Sequence, residues 1–176
     1  LARVDSSQAA TIVAHNSLGL VPIMDYGTDE QKENFLPKLT SGRYIWGFGL
    51  TEINAGSDAR GTETTAVRDG NEWIINGSKR YITNASTSMT LGVTLQVMTN
   101  DDKGQPKLTT ILVESGTPGF EAKRMLGKMM WRAADTAQLT FKDCRVPYSN
   151  LLGQEGQGAR YMLKTLDGGR LSVAAM

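Results

Sequence analysis

The hydrophobic period of this chain changes at Trp46, and that change decides what the chain can fold into. Before it, apolar residues recur at helical spacing; after it, they mostly alternate as in strands. The turning point is Phe48-Gly49-Leu50-Thr51-Glu52-Ile53-Asn54-Ala55-Gly56-Ser57-Asp58, an apolar approach that runs into small turn-forming residues. Asn54, Gly56 and Asp58 bend the backbone, so its N–H groups are left without ladder partners. Exposed amides flanked by the Thr51 and Ser57 hydroxyls suit a phosphate or a flat polar heterocycle.

Residues 1–44 read as helices. Ser6 or Ser7 is expected to cap a helix carrying Ala9, Ile12 and Val13. Gly27 fits the stop of a short helix containing Ile23 and Met24, and Thr28-Asp29-Glu30-Gln31 has the form of a capping box. Pro37 lacks an N–H and crowds the preceding turn, so it is expected to end or kink the next helix. His15, the only histidine, lies on a helix with no Cys or second His nearby and reads as a packing or hydrogen-bonding residue.

The middle of the chain reads as short strands. Thr64–Arg68 leads through Asp69-Gly70-Asn71 to Trp73-Ile74-Ile75. Asn76-Gly77 is then a strong hairpin signal before a strand over Arg80–Thr83. Met89–Thr99 and Leu108–Glu114 flank a polar loop and form a second expected hairpin. This pattern favours an antiparallel sandwich or barrel. Along Tyr81-Ile82-Thr83, alternation sends Tyr81 and Thr83 to one face and Ile82 to the other. From about Gln157 the helical period returns, with Ala159, Met162, Leu163, Leu166 and Leu171 near one face. Gly168 and Gly169 inside it mark either a fray point or a close approach to the backbone.

Composition sets limits. At 176 residues the chain can bury a core, and 19 basic against 18 acidic residues leave no basic stripe for nucleic acid. No long uncharged apolar run suggests a membrane span. The single Cys144 has no internal partner and reads as structural. With no secretion signal visible, a cytoplasmic setting is expected. The chain starts at Leu1 inside an apolar pattern and stops at Met176 without a polar tail, which reads as a segment of a longer polypeptide. No dinucleotide fingerprint, P-loop, metal-ligand spacing or Ser/His/Asp triad is present.

Several ordered motifs resemble the acyl-CoA dehydrogenase family. Phe48–Asp58 resembles its flavin-binding signature, with Ile53 where Pro is usual. Asn76-Gly77-Ser78-Lys79-Arg80-Tyr81-Ile82-Thr83-Asn84 resembles its second flavin segment, with Tyr81 where Trp is frequent. Phe141-Lys142-Asp143-Cys144-Arg145-Val146-Pro147, Leu166-Asp167-Gly168-Gly169-Arg170, Leu1-Ala2-Arg3-Val4 and His15-Asn16-Ser17-Leu18 extend the likeness, the last two toward the short-chain bacterial branch.

The resemblance implies an α+β fragment: the end of a helical N-terminal domain (1–45), a β-barrel or sandwich middle domain (46–155) and the start of a helical C-terminal domain (156–176). It implies FAD, held by Phe48, Gly49, Leu50, Thr51, Gly56, Ser57, Tyr81, Ile82 and Thr83. It implies α,β-dehydrogenation of an acyl-CoA, as in β-oxidation, with Ser57, Asp167 and Arg170 bordering the substrate. The general-base Glu is expected beyond residue 176. An electron-transfer flavoprotein is the expected partner, a tetramer or dimer the expected assembly, and the mitochondrial matrix the setting if the source is eukaryotic. An oxidase or monooxygenase of the same fold, or a non-catalytic acyl-CoA-binding relative, stands as the alternative.

Overall fold

A computed structural model covers residues 1–176. Its elements follow the period change. Helices α1 (Ser6–Ala14), α2 (Leu20–Tyr26) and α3 (Asp29–Thr40) come first, with a π-helical turn at His15–Gly19 joining α1 to α2. Strands β1 (Ile45–Gly49), β2 (Thr65–Asp69), β3 (Glu72–Thr83), β4 (Thr90–Asn100), β5 (Pro106–Glu114), β6 (Phe120–Arg124) and β7 (Thr136–Pro147) follow, and helix α4 (Gly158–Ala174) comes last. No helix is long and apolar enough to cross a membrane.

The helix boundaries have local causes. The capping box forms: the Gln31 N–H donates to Thr28 Oγ1 at 3.2 Å, and the Thr28 N–H donates to Gln31 Oε1 at 3.1 Å. Asp29 and Glu30 place negative charge on the positive end of α3. Helix α1 is capped by Asp5 rather than Ser6 or Ser7. Asp5 is extended, and its carboxylate accepts the Ser7 N–H at 2.7 Å. Pro37 does not end α3, which runs on to Thr40. The only bond it forgoes is to the carbonyl of exposed Glu33, which water can satisfy.

The seven strands form one open sheet, in the order β1-β4-β2-β3-β7-β6, with β5 on the other edge of β4. It is largely antiparallel, but β1 runs parallel to β4, and β2 touches β4 in parallel at Thr65 and Met98. Parallel pairing follows from the long connections that separate β1 and β2 from β4 in sequence. The expected turn at Asp69-Gly70-Asn71 joins β2 to β3, and the expected hairpin joins β4 to β5.

Asn76-Gly77 is not a hairpin. Strand β3 passes straight through it, because the asparagine and glycine serve a bulge instead. Between Ile75↔Cys144 and Gly77↔Phe141, β7 advances three residues while β3 advances two. The surplus lies around Lys142 and Asp143, and Asp143 has φ +46°. Asn76 stitches it: its Oδ1 accepts the Asp143 N–H at 2.8 Å, and its Nδ2 donates to Asp143 Oδ1 at 3.2 Å. Gly77 itself has φ +141°, and a Cβ there would stand 2.7 Å from Thr64 Cα. A second bulge follows in the opposite sense. Between Lys79↔Leu139 and Ile82↔Ala137, β3 advances three residues against two, and Tyr81 has φ +61°. The second bulge restores the original register.

Two cores hold the molecule. The larger joins 15 buried residues of the sheet, including Trp73, Ile75, Ile82, Leu139 and Cys144. The smaller, of seven, packs Leu20, Ile23, Phe35 and Leu39 of the helices on Trp46, Leu112 and Leu152. In α4 the buried face is Gly158, Tyr161, Met162, Thr165 and Gly169, whereas Leu171 is exposed rather than on that face. Gly169 is the close approach: a Cβ there would meet Leu18 Cδ2 at 2.8 Å, while Gly168 faces open space. Cys144 is fully buried, and burial pushes its thiol up to about 11, as a structural cysteine requires.

Candidate functional site

A cleft of about 370 Å³ opens where the end of β1, the loop after it, the end of β3 and α4 converge. Trp46, Phe48, Leu50, Ile82, Leu163 and Leu166 supply its apolar walls, and Thr51, Ser57 and Thr83 line it with hydroxyls. None of these three hydroxyls takes part in the chain's own hydrogen bonds. A second, almost wholly apolar hollow of about 460 Å³ lies between α1 and α4, floored by Val13, Leu18, Leu166 and Gly169. Ala14, Leu18, Thr83, Leu166 and Arg170 line both spaces, so Thr83 sits at their junction.

The two sequence segments converge on this cleft. Phe48, Leu50, Thr51, Gly56, Ser57, Tyr81, Ile82, Thr83 and Arg170 all line the cleft. Gly49 does not: a Cβ there would meet Leu95 Cδ2 at 2.5 Å, so it lets β1 lie close on β4. Asp167 also lies outside, exposed and ion-paired with Arg170 on the outer face of α4. Gly56 has ordinary φ and room for a Cβ, so any demand for glycine there comes from a bound molecule and not from the loop.

Ile82 is buried while Tyr81 is exposed, but simple alternation is not the reason. Lys79 points inward, so an unbroken strand would also turn Tyr81 and Thr83 inward. The bulge at Tyr81 shifts the parity by one and carries Ile82 into the core.

Interior contacts complete the site, and His15 is the hydrogen-bonding residue expected of it. The Trp46 N–H donates to His15 Nδ1 at 3.2 Å, which leaves His15 Nε2 to donate to the Leu39 carbonyl at 3.1 Å. Burial pushes the imidazole below its ordinary value, and it stays neutral. Beneath the cleft wall, Lys79 Nζ donates to Glu52 Oε1 at 2.7 Å and to the Leu50 carbonyl at 3.2 Å. The same carboxylate accepts the Glu63 N–H at 2.8 Å and the Thr64 N–H at 3.1 Å. Burial brings Lys79 down to about 8, with Glu52 pulling the other way. Burial also raises Glu52, but Lys79 and the backbone donors outweigh it and hold the carboxyl below its ordinary value. Both groups are therefore charged at neutral pH, and the pair ties the first segment to the second. The available signal was a lysine at an inward position between Ile75 and Ile82.

The cleft thus has mainly apolar walls, three hydroxyls free of internal hydrogen bonds, and no carboxylate or histidine lining it. Comparison with known proteins supplies the family. The acyl-CoA dehydrogenase middle-domain family model matches residues 47–144, and the corresponding N-terminal-domain model matches residues 1–43. The chain belongs to the acyl-CoA dehydrogenase family. It is 43% identical over 176 residues to the short-chain specific acyl-CoA dehydrogenase of Megasphaera elsdenii, covering 99% of this chain and 45% of that protein. Butyryl-CoA dehydrogenase from Megasphaera elsdenii superposes with a TM-score of 0.90 at 41% identity, covering 97% of this chain and 44% of the other. A glutaryl-CoA dehydrogenase from Mycobacterium smegmatis, in complex with FADH2, superposes with a TM-score of 0.84 at 36% identity, covering 93% and 40%. The chain spans less than half the length of these relatives.

Proposed function

We propose that this chain is the flavin-holding part of an FAD-dependent acyl-CoA dehydrogenase. Thr83 carries the reading, because it lines both the hydroxyl-bearing cleft and the apolar hollow beside it. A flavin ring fits the cleft: its faces need apolar walls and its edge needs donors, and the hydroxyls of Thr51, Ser57 and Thr83 are uncommitted. The space suits the fused ring and not a whole dinucleotide.

When bound, FAD supplies the two-electron acceptor that no side chain here provides. The chain's own residues bind and orient. Phe48, Leu50 and Ile82 fix the plane of the ring, and Tyr81 packs along it from the exposed side. Thr51 and Thr83 donate to its polar edge, while Gly56 and Ser57 receive the phosphate side. Gly49 supports β1 from beneath. The apolar slot between α1 and α4 takes an acyl chain, and Arg170, with Asp167 beside it, borders the thioester end. Removal of the α-proton needs a carboxylate within hydrogen-bond reach, about 2.6–3.2 Å. The cleft offers none, since Glu52 is turned inward and held by Lys79. That base, a Glu by family resemblance, comes from outside residues 1–176. By the same resemblance, electrons pass to an electron-transfer flavoprotein, and the assembled protein is a tetramer or dimer. The chain divides functionally at about residues 45 and 155.

The test is anaerobic. Full-length protein loaded with FAD is mixed with saturated acyl-CoAs of several lengths, and the flavin absorbance is followed. Substrate-dependent bleaching is expected from the full-length protein and not from residues 1–176 alone. Bleaching by the short chain at a comparable rate would place the base inside it and refute the assignment.

A further inference from the structure

The fully buried ammonium of Lys79 has no task in the binding scheme above. Packing does not require it: apolar side chains of similar volume can replace a whole buried ion pair at little cost, and often stabilise. Its second contact is more specific. Besides Glu52, Nζ holds the carbonyl of Leu50, a residue of the cleft wall, at 3.2 Å.

The Leu50–Thr51 peptide is trans, as are all peptide bonds in the chain, so its C=O and N–H point to opposite sides. Lys79 draws the carbonyl toward the interior, so the Thr51 N–H is turned away from it, in a residue that lines the cleft. That N–H enters none of the chain's own hydrogen bonds. The next carbonyl is clamped as well, since Thr51 O accepts the Arg80 N–H at 2.8 Å. Strand β3 thus fixes two successive peptide units of the loop, one through a backbone amide and one through a charge. A cation on the oxygen end of a peptide strengthens the donor at its nitrogen end, and strongly so where water is excluded.

We propose that Lys79 is a positioning residue that acts through the Leu50–Thr51 peptide, holding and polarising its N–H so that it favours the reduced, negatively charged form of the ring in the cleft. This rests on the flavin reading above, and a test by reduction potential separates the two.

In the full-length flavoprotein, Lys79→Met and the double variant Glu52→Gln/Lys79→Met are compared with wild type. The double variant leaves no buried charge unpaired. FAD content, melting temperature and the two-electron midpoint of the bound flavin are measured at pH 7. Both variants should bind oxidised FAD, with the preference for reduced over oxidised flavin falling about tenfold or more. For a two-electron couple that is a midpoint lower by about 30 mV. A purely structural pair would change FAD content and melting temperature and leave the midpoint of the bound fraction where it was. An unchanged midpoint in either folded variant overturns the proposal. Failure of both variants to fold also overturns it, by assigning the pair to the fold alone. Wild-type protein that takes up no FAD overturns the cofactor reading itself.

Discussion

The two ends of β3 follow opposite rules. At the Glu72–Ile75 end, pairing with β2 and β7 is regular, Trp73 and Ile75 point into an apolar core, and charge stays outside. There Arg145 bridges Asp69 and Glu72 at 3.0 Å, with all three side chains about half exposed. At the Lys79–Thr83 end, the pleat is broken by a residue at positive φ, a lysine is buried, and the next turn holds Asn84 at φ +63°. One strand is therefore a sheet element at its start and a site scaffold at its finish. Strain and buried charge collect beside the cleft, and regular pairing elsewhere supplies the stability to hold them.

The largest expected effect comes from the two ion pairs. Glu52→Ala strands Lys79 in the interior and should cost about 3–5 kcal/mol. Glu72→Ala, at the other end of the same strand, removes a solvated partner and should leave the urea midpoint where it was. Equal losses would erase the distinction between the ends.

The junction of the two ends gives the next effect. Gly77→Val forces a β-branched residue to φ +141° against Thr64 and should cost about 2–3 kcal/mol in denaturation. Gly56→Val, in the open loop, should leave stability unchanged while weakening FAD binding. A loss of stability at Gly56 equal to that at Gly77 would mean the loop needs glycine for its own fold.

The difference between the ends also explains what was legible in sequence. The period change, the capping box, the β2–β3 turn and the β4–β5 hairpin were readable because each rests on neighbours in sequence, whereas the two cleft segments stood out only by their resemblance to family motifs. Asn76-Gly77 misled because its turn chemistry serves a bulge set by β7, about 65 residues away. The inward turn of Ile82 agreed with alternation only because the Tyr81 bulge shifted the parity after Lys79. Neither the Glu52–Lys79 pair nor the His15–Trp46 bond could be read locally, since each joins segments whose contact the sheet creates.

Titration should separate the ends by a smaller margin. Folded His15 titrates below its ordinary 6.5, so as pH falls below about 6.5 the unfolded chain takes the proton first and stability drops. Glu52 adds to the loss below about 4.5, where the unfolded carboxyl takes a proton that the folded one still refuses. Cys144 works in the opposite range. The unfolded thiol ionises from about 9 while the folded one resists until about 11, so stability falls as pH rises through that window. Lys79, at about 8 in the fold against 10.5 in the unfolded chain, adds stability over part of that range. Melting temperatures across pH should therefore show both slopes, the Cys144 one as the difference from a variant lacking the thiol. His15→Gln should flatten the first of them and Cys144→Ala the second, and a variant that alters the other's slope would show the ends to be coupled.

The most direct measurement is the FAD dissociation constant of the full-length protein carrying one change at each end of β3. Thr83→Ala removes a hydroxyl from the polar edge of the cleft, a loss of about 1.5–3 kcal/mol, or roughly tenfold to a hundredfold in affinity. Glu72→Ala should leave the constant unchanged. A Thr83→Ala protein that binds FAD as tightly as wild type, or one that loses no more than Glu72→Ala, would contradict the assignment of the cleft to flavin.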